Sequence, residues 1–275
     1  MKSARPRPIV TLTTDFGSAD HYVGTMKGVL LARCPGVEIV DISHEIPPFS
    51  IPSGAYTIDQ AARYFPSGTV HVIVVDPGVG TARKPLLLEA LGQFFVAPDN
   101  GILTMIFDRD PQAKAREITA RNLWNESVSS TFHGRDIFAP VAAALACGIN
   151  LKEVGPKLAK IVRLPDLVAR EMKPGEWRGT ILSVDRFGNV ITNFEIAAFR
   201  TIASSPFSLH VRTRRVTSFQ PTFGAAGNAG CFAYFGSSGY IEIGMNRQSA
   251  AAHLKGNPGD PLTLTVQSKR QRPSK

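Results

Sequence analysis

Apolar and polar positions alternate along the first half of the chain in two different rhythms. Short apolar runs at residues 9–14, 37–42 and 70–75 read as strands, the last ending in VIVVD and apolar enough to be buried on both faces. Between them, residues 22–33 and 53–64 carry helical spacing; Cys-Pro-Gly ends the first and Ser53 serves as a cap for the second. Residues 86–91 and 93–97 read as paired strands around Gly92, and 137–147 as an Ala-rich helix. This pattern predicts an α/β domain over residues 1–164 with a largely parallel central sheet, its ligand at the carboxyl ends of the strands. Residues 165–177, with two prolines and a glycine, read as a linker. Short alternating runs at 178–184, 190–194, 208–211, 231–235, 240–245 and 262–266 then predict a smaller antiparallel β-barrel domain over 178–275, ending in a disordered basic tail.

Composition narrows the class. Among 275 residues, 43% are hydrophobic and 19% charged, as in a soluble globular protein with a sizeable core. No apolar run approaches the roughly 18–20 residues that span a bilayer. The basic start leads into a strand rather than a signal peptide's apolar segment, so the protein reads as cytosolic. The net charge of +9 comes mostly from the termini: Lys2, Arg5, Arg7, Lys269, Arg270, Arg272 and Lys275 carry seven positive charges. The body is near neutral, with no basic stripe interleaved with aromatics, which argues against a nucleic-acid partner. Cys34, Cys147 and Cys231 are odd in number, widely separated and without a CxxC pair, and so read as small buried hydrophobes rather than as a disulfide or zinc site.

The chemistry collects in four clusters: TTDFG (13–17), VVDPGVGTARKP (74–85), TFHGRDIFAP (131–140) and VDRFGNVITN (184–193). Each sets a charged or amide side chain where an apolar run yields to Gly or Pro, the place where a strand delivers a carboxylate to the rim of a sheet. They offer Asp15, Asp76, Arg83, His133 and Asp185. His133 and Arg135 bracket a glycine near a helix start, where backbone N–H groups can bind an anion. DFG falls too early, and without HRD, for a kinase; DPGVG lacks both the P-loop and the Rossmann spacing. Three readings follow from these residues. One is an enzyme that activates water. Another is a phosphoesterase whose Asp15, Asp76 and His133 hold Mg or Mn. The third is a non-catalytic module that binds a small ligand.

The order TTDFG, DISHEIPPF, FPSGTVHVIVVDPGVGTARKPL, APDNGIL, TFHGRDIFAP and DRFGNVITN resembles the S-adenosyl-L-methionine hydroxide adenosyltransferases, S-adenosylmethionine hydrolases related to the fluorinating and chlorinating enzymes, over residues 9–266. The resemblance implies cleavage of S-adenosylmethionine by water to adenosine and L-methionine, without metal or cofactor, in a homotrimer with sites between subunits. It implies a water-handling triad of Asp76, Arg83 and His133. It further implies that Asp15 binds the ribose hydroxyls and Asp185 the methionine ammonium, while Asn189 meets the adenine edge with Phe187 as a stacking face. Phe49 and Phe223 are further aromatic candidates; Ser237, in GSSG, matches a methionine-carboxylate site. Some relatives carry Arg beside that serine where this chain has Ser238. Halogenating relatives carry an aromatic residue at the position of Asp76, where a carboxylate would repel halide.

Overall fold

The computed structural model describes residues 7–227 and 230–267; the basic tails therefore lie outside the described residues. The chain divides into two compact units at Leu164/Pro165. No helix among the described residues is long and apolar enough to cross a membrane.

The N-terminal unit is built on a seven-stranded sheet: β1 (Ile9–Thr14), β2 (Glu38–Ser43), β3 (Val70–Val74), β4 (Pro85–Ala90), β5 (Gln93–Pro98), β6 (Lys114–Glu117) and β7 (Lys157–Leu158), in the order β2-β1-β3-β5-β4-β6-β7. β1, β2, β3 and β5 run parallel, and β4, β6 and β7 extend the sheet antiparallel. Helices α1 (Tyr22–Arg33), α2 (Ile51–Ala62), α3 (Thr104–Arg109) and α4 (Ala139–Ala146) accompany it. The alternation of short β-branched runs with helical spacing is what selects this arrangement, because parallel neighbours need a crossover between them. Val10, Leu12, Val72 and Val96 from the sheet pack with Met26 and Leu30 of α1 and Val141 and Leu145 of α4. A single π-helical turn, Gly134–Phe138, leads into α4, so the expected helix at 137–147 starts earlier and in a different winding.

Two local expectations are corrected here. Helix α2 begins at Ile51, after Ser50, because Pro52 supplies the fixed φ of a first turn. Ser53 is therefore not its cap but a buried residue that accepts a hydrogen bond from Ser50 Oγ at 3.0 Å. Cys34 and Cys147 are not separate buried hydrophobes: they form a disulfide with Cα atoms 5.9 Å apart, joining the carboxyl ends of α1 and α4. Helix packing brings together two thiols 113 residues apart, a separation that spacing rules cannot see. Cys231 is free.

The C-terminal unit is an antiparallel, nearly closed barrel-like sheet of β8 (Arg170–Lys173), β9 (Glu176–Val184), β10 (Val190–Glu195), β11 (Phe207–Val211), β12 (Arg214–Val216), β13 (Cys231–Phe235), β14 (Tyr240–Met245) and β15 (Pro261–Val266). The order is β12-β11-β15-β9-β10-β14-β13, with β8 on β9. Short helices α5 (Ile196–Phe199), α6 (Phe223–Ala226) and α7 (Ala250–Leu254) fill the connections. Ile181, Leu209, Val211, Ile241, Ile243, Leu262 and Leu264 form its core. Within residues 165–177, expected as a linker, β8 and the start of β9 form a hairpin turned by Pro174-Gly175, with Gly175 at φ 77°. The Pro-Gly pair is a turn between strands rather than a break in structure.

Candidate active site

The N-terminal unit gathers Asp15, Asp76, Arg83, His133 and Phe49. Asp15 follows β1 directly and Asp76 lies two residues beyond β3, so parallel neighbours deliver both carboxylates to one edge. Arg83 reaches back from the loop before β4. That loop presses on the segment carrying His133, because Gly80, at φ 76°, approaches so closely that a Cβ there would sit 2.3 Å from the Ser130 carbonyl oxygen. Arg83 Nε donates to both Asp76 oxygens at 3.0 and 2.9 Å, and its Nη2 donates to Asp76 Oδ2 as well. The same Nη2 lies 2.7 Å from His133 Nδ1. A guanidinium has only donors, so Nδ1 accepts and neutral His133 carries its proton on Nε2. The Asp76 and Arg83 side chains are only 5% and 8% exposed, which removes most solvent screening from the pair.

Charge follows this geometry. Burial, and then the Arg83 charge, push the His133 imidazole below its ordinary range, with Asp76 and Asp136 opposing. Burial raises the Asp15 carboxyl, the charge on Asp76 adds to the rise, and a hydrogen bond from Phe49 N–H to Asp15 Oδ2 at 2.9 Å opposes it. Phe49 makes that bond from a left-handed backbone, φ 66°, a strained conformation for an aromatic residue. Asp15, Phe49, Asp76 and His133 line a cavity of about 440 Å³ whose other walls include Phe16, Tyr22 and Phe132. Arg83 does not line it. Arg83 and His133 instead face a second cleft of about 510 Å³ with Lys84, Arg121 and Ser130. His133 thus stands between the two.

Arg135, expected beside His133 as part of an anion site, is engaged otherwise. It donates to Asp136 at 2.6 and 2.8 Å and lies over the Phe132 ring. Asp136 also accepts from Ser129 N–H and the Asn125 amide, which ties down the loop leading to His133. Sequence reasoning missed this support, and the adjacent Arg and Asp in HGRD were its signal. Among the described residues, no three His, Cys, Asp or Glu side chains converge as a metal would require, and Asp76 gives both oxygens to Arg83.

In the C-terminal unit, Asp185 shapes the turn between β9 and β10. Its Oδ1 accepts from Phe187 N–H and Asn189 N–H at 2.9 and 2.8 Å, and its Oδ2 accepts from the Asn189 amide at 2.7 Å. The ammonium role expected of Asp185 would have to share a carboxylate that already accepts three donors. Phe187, 80% exposed, is not barrel core. Phe223 packs beside Gly244, at the same end of β14 as Asn189. Register puts the GSSG turn with Ser237 at the opposite end of β14, where Gly239 bonds Ile196. Beside that turn is a carboxylate that sequence reasoning missed. Glu242, 8% exposed, accepts from Tyr234 OH at 2.5 Å and Ser238 Oγ at 2.9 Å. Ser238 thus serves Glu242. A Glu inside the apolar strand YIEIGM was the signal.

Both units have counterparts among known domains. Residues 10–155 match the SAM hydroxide adenosyltransferase N-terminal domain and residues 179–263 match its C-terminal domain. The chain belongs to the SAM hydroxide adenosyltransferase family. Within that family, the (R)-S-adenosyl-L-methionine hydrolase of Salinispora tropica is 38% identical over 265 residues, 95% of this chain and 99% of that protein. The enzyme of the same name from Thermus thermophilus is 39% identical over 94% of this chain and 99% of its own. A fluorinase of Nocardia brasiliensis is more distant, 32% identical over 89% and 92%. An uncharacterized conserved protein from Thermotoga maritima has the same fold, with a TM-score of 0.82 and 35% identity, covering 94% of this chain and 99% of that one.

Proposed function

We propose that this chain hydrolyses S-adenosyl-L-methionine to adenosine and L-methionine, water attacking the ribose 5′ carbon. The observation that carries this reading is the Asp76–Arg83–His133 network at the edge of an otherwise largely apolar cavity. In the reaction a C5′–O bond forms as the C5′–S bond breaks, and the electron pair returns to sulfur as a neutral thioether. The leaving group needs no acid, so the protein's task is the nucleophile. Handing water's proton fully to an ordinary carboxylate before attack would cost roughly 16 kcal/mol, from pKa values of about 15.7 and 4. Proton transfer therefore accompanies attack, with Asp76 as the acceptor in the cavity and Arg83 holding the carboxylate in place. His133, neutral and carrying its Nε2 proton, orients the water by donating to its oxygen.

Asp15, fixed by Phe49 N–H, receives the ribose hydroxyls. Asn189 and Phe187, set by the Asp185 turn, receive the adenine, with Phe223 beside them. Ser237 at the far end of β14 receives the methionine carboxylate. The carboxylate at position 76 favours water over halide. We further propose a homotrimer whose sites lie between subunits, supported by the sequence resemblance and by two exposed aromatic rings, Phe49 and Phe187, at the candidate subsites.

The test is turnover in ¹⁸O-enriched water with chelator present. Label in the 5′-hydroxyl of adenosine and none in methionine is expected. Ligand bound without turnover would leave only a binding module, activity that requires added metal would favour the phosphoesterase, and 5′-halo-5′-deoxyadenosine formed with halide would overturn the preference for water.

A further inference from the structure

The barrel-like sheet of the C-terminal unit is not closed by a ladder. β12 and β13 stand at its two ends, and the isolated bridge Phe219–Ala233 spans the seam. On this seam is a cavity of about 390 Å³ walled by Arg214 and Arg215 of β12, Thr217 and Ser218 after it, His253 of α7 and Cys231 of β13. No carboxylate lines it. Among the described residues neither the Arg214 nor the Arg215 side chain is paired with a carboxylate or held by a hydrogen bond, whereas nearby Arg212 is held by Asp260 at 3.0 and 2.8 Å. Ser218 Oγ accepts from the Gln220 amide at 3.1 Å, which leaves its own hydrogen free to donate.

We propose that this seam cavity binds a phosphate-type oxyanion, either free or carried on a small ester. Guanidinium donors are planar and charge-assisted, which suits tetrahedral oxyanions, and flanking hydroxyls complete the shell. The cavity's walls include none of Asp185, Asn189 and Ser237, so its ligand groups are other than those proposed for the hydrolysis. Cys231 reports on it from within. It is the chain's one free thiol, half-buried, and the Arg214 charge acts on it. An anion on Arg214 covers the sulfur and screens that charge, and either effect slows the thiol's reaction.

The experiment follows the rate of Cys231 alkylation in the full chain at low ionic strength as inorganic phosphate is added, with chloride at matched ionic strength as control. Phosphate is expected to slow alkylation several-fold and saturably, with chloride nearly without effect. The protection should vanish in Arg214→Ala/Arg215→Ala, whose exposed substitutions on an edge strand leave S-adenosylmethionine turnover and the melting curve unchanged. Arg215→Glu gives a second variant with the same expectation should the double one melt early. A nucleoside monophosphate that protects at lower concentration than phosphate would identify an ester as the ligand, and equal protection would identify free phosphate. Equal slowing by chloride, or protection that survives both variants, would overturn the proposal.

Discussion

Arg83 joins Asp76 to His133 with one planar group, and a lysine ammonium cannot reproduce that fork. Because Arg83 does not line the Asp15–His133 cavity, its loss should strike the chemical step rather than binding. Arg83→Lys is expected to lower kcat by about 10²–10³, the scale for removing a preorganised charge from a reacting centre, with KM changed much less. A rise in KM at unchanged kcat would remove Arg83 from the water-handling role. His133 supplies a pH test of the same network. Its Nδ1 must keep a lone pair for Arg83, so activity requires the neutral ring. With its pKa pushed below the ordinary 6.5, the ring is neutral above that pH and protonates only as pH falls further. The kcat/KM profile should therefore stay level down to about 6.5 and fall below it; an acid limb centred above 7 would contradict the geometry. Charged residues of this kind were legible in the sequence because Gly and Pro mark where strands deliver them to a rim. Phe49's left-handed backbone and the service of Ser238 to Glu242 were not legible, because both arise from packing against residues distant in the chain.

Strand β3 carries a buried group that the mechanism does not use. His71 is fully buried, stacks on Phe95 and bonds Thr11 Oγ1 through Nδ1 at 2.7 Å. Burial pushes its pKa down to about 4 from 6.5. The unfolded chain therefore binds a proton first as pH falls, so His71's contribution is complete above 6.5 and is lost progressively on the way down to about 4. The loss should approach about 3 kcal/mol. Urea unfolding at pH 7 and pH 4.5 should show His71→Leu losing less stability across that interval than the parent; equal losses would assign the acid sensitivity elsewhere. Helices α1 and α4 offer a second test, since the Cys34–Cys147 bond closes a loop of 113 residues. The chain-entropy account gives such a loop up to about 4–5 kcal/mol. Reductant should lower the melting temperature of the parent by several degrees and leave that of Cys147→Ser unmoved. The same elements show how far periodicity reads. β1 and α1 carry uninterrupted patterns and were legible to the residue; β6, four residues reading KARE, and the hairpin at Pro174-Gly175 lack any periodic signal, and tertiary pairing alone defines them.

At the scale of the whole molecule, the candidate residues divide between two units with separate cores, Asp15, Phe49, Asp76, Arg83 and His133 in one and Asp185, Phe187, Asn189, Phe223 and Ser237 in the other. Phe49 is 71% exposed and Phe187 80%, a costly arrangement for two large apolar rings unless a ligand or another subunit covers them. The proposed trimer predicts a particle of three 29.7 kDa chains in light scattering. Its sharper consequence is complementation. Asp76→Asn damages only the N-terminal half of a site and Asn189→Ala only the C-terminal half, so each homotrimer should be nearly inactive. If every site takes its halves from neighbouring subunits, an intact site forms wherever the Asn189→Ala chain supplies the first half and the Asp76→Asn chain the second. Random co-assembly of equal amounts then restores about one quarter of the parent activity, the product of two even chances around a cyclic ring. Co-expression or co-refolding of the pair, with subunit mixing checked by native mass spectrometry, measures it. Mixed trimers that remain inactive would put each site within a single chain and leave the exposed rings to substrate alone.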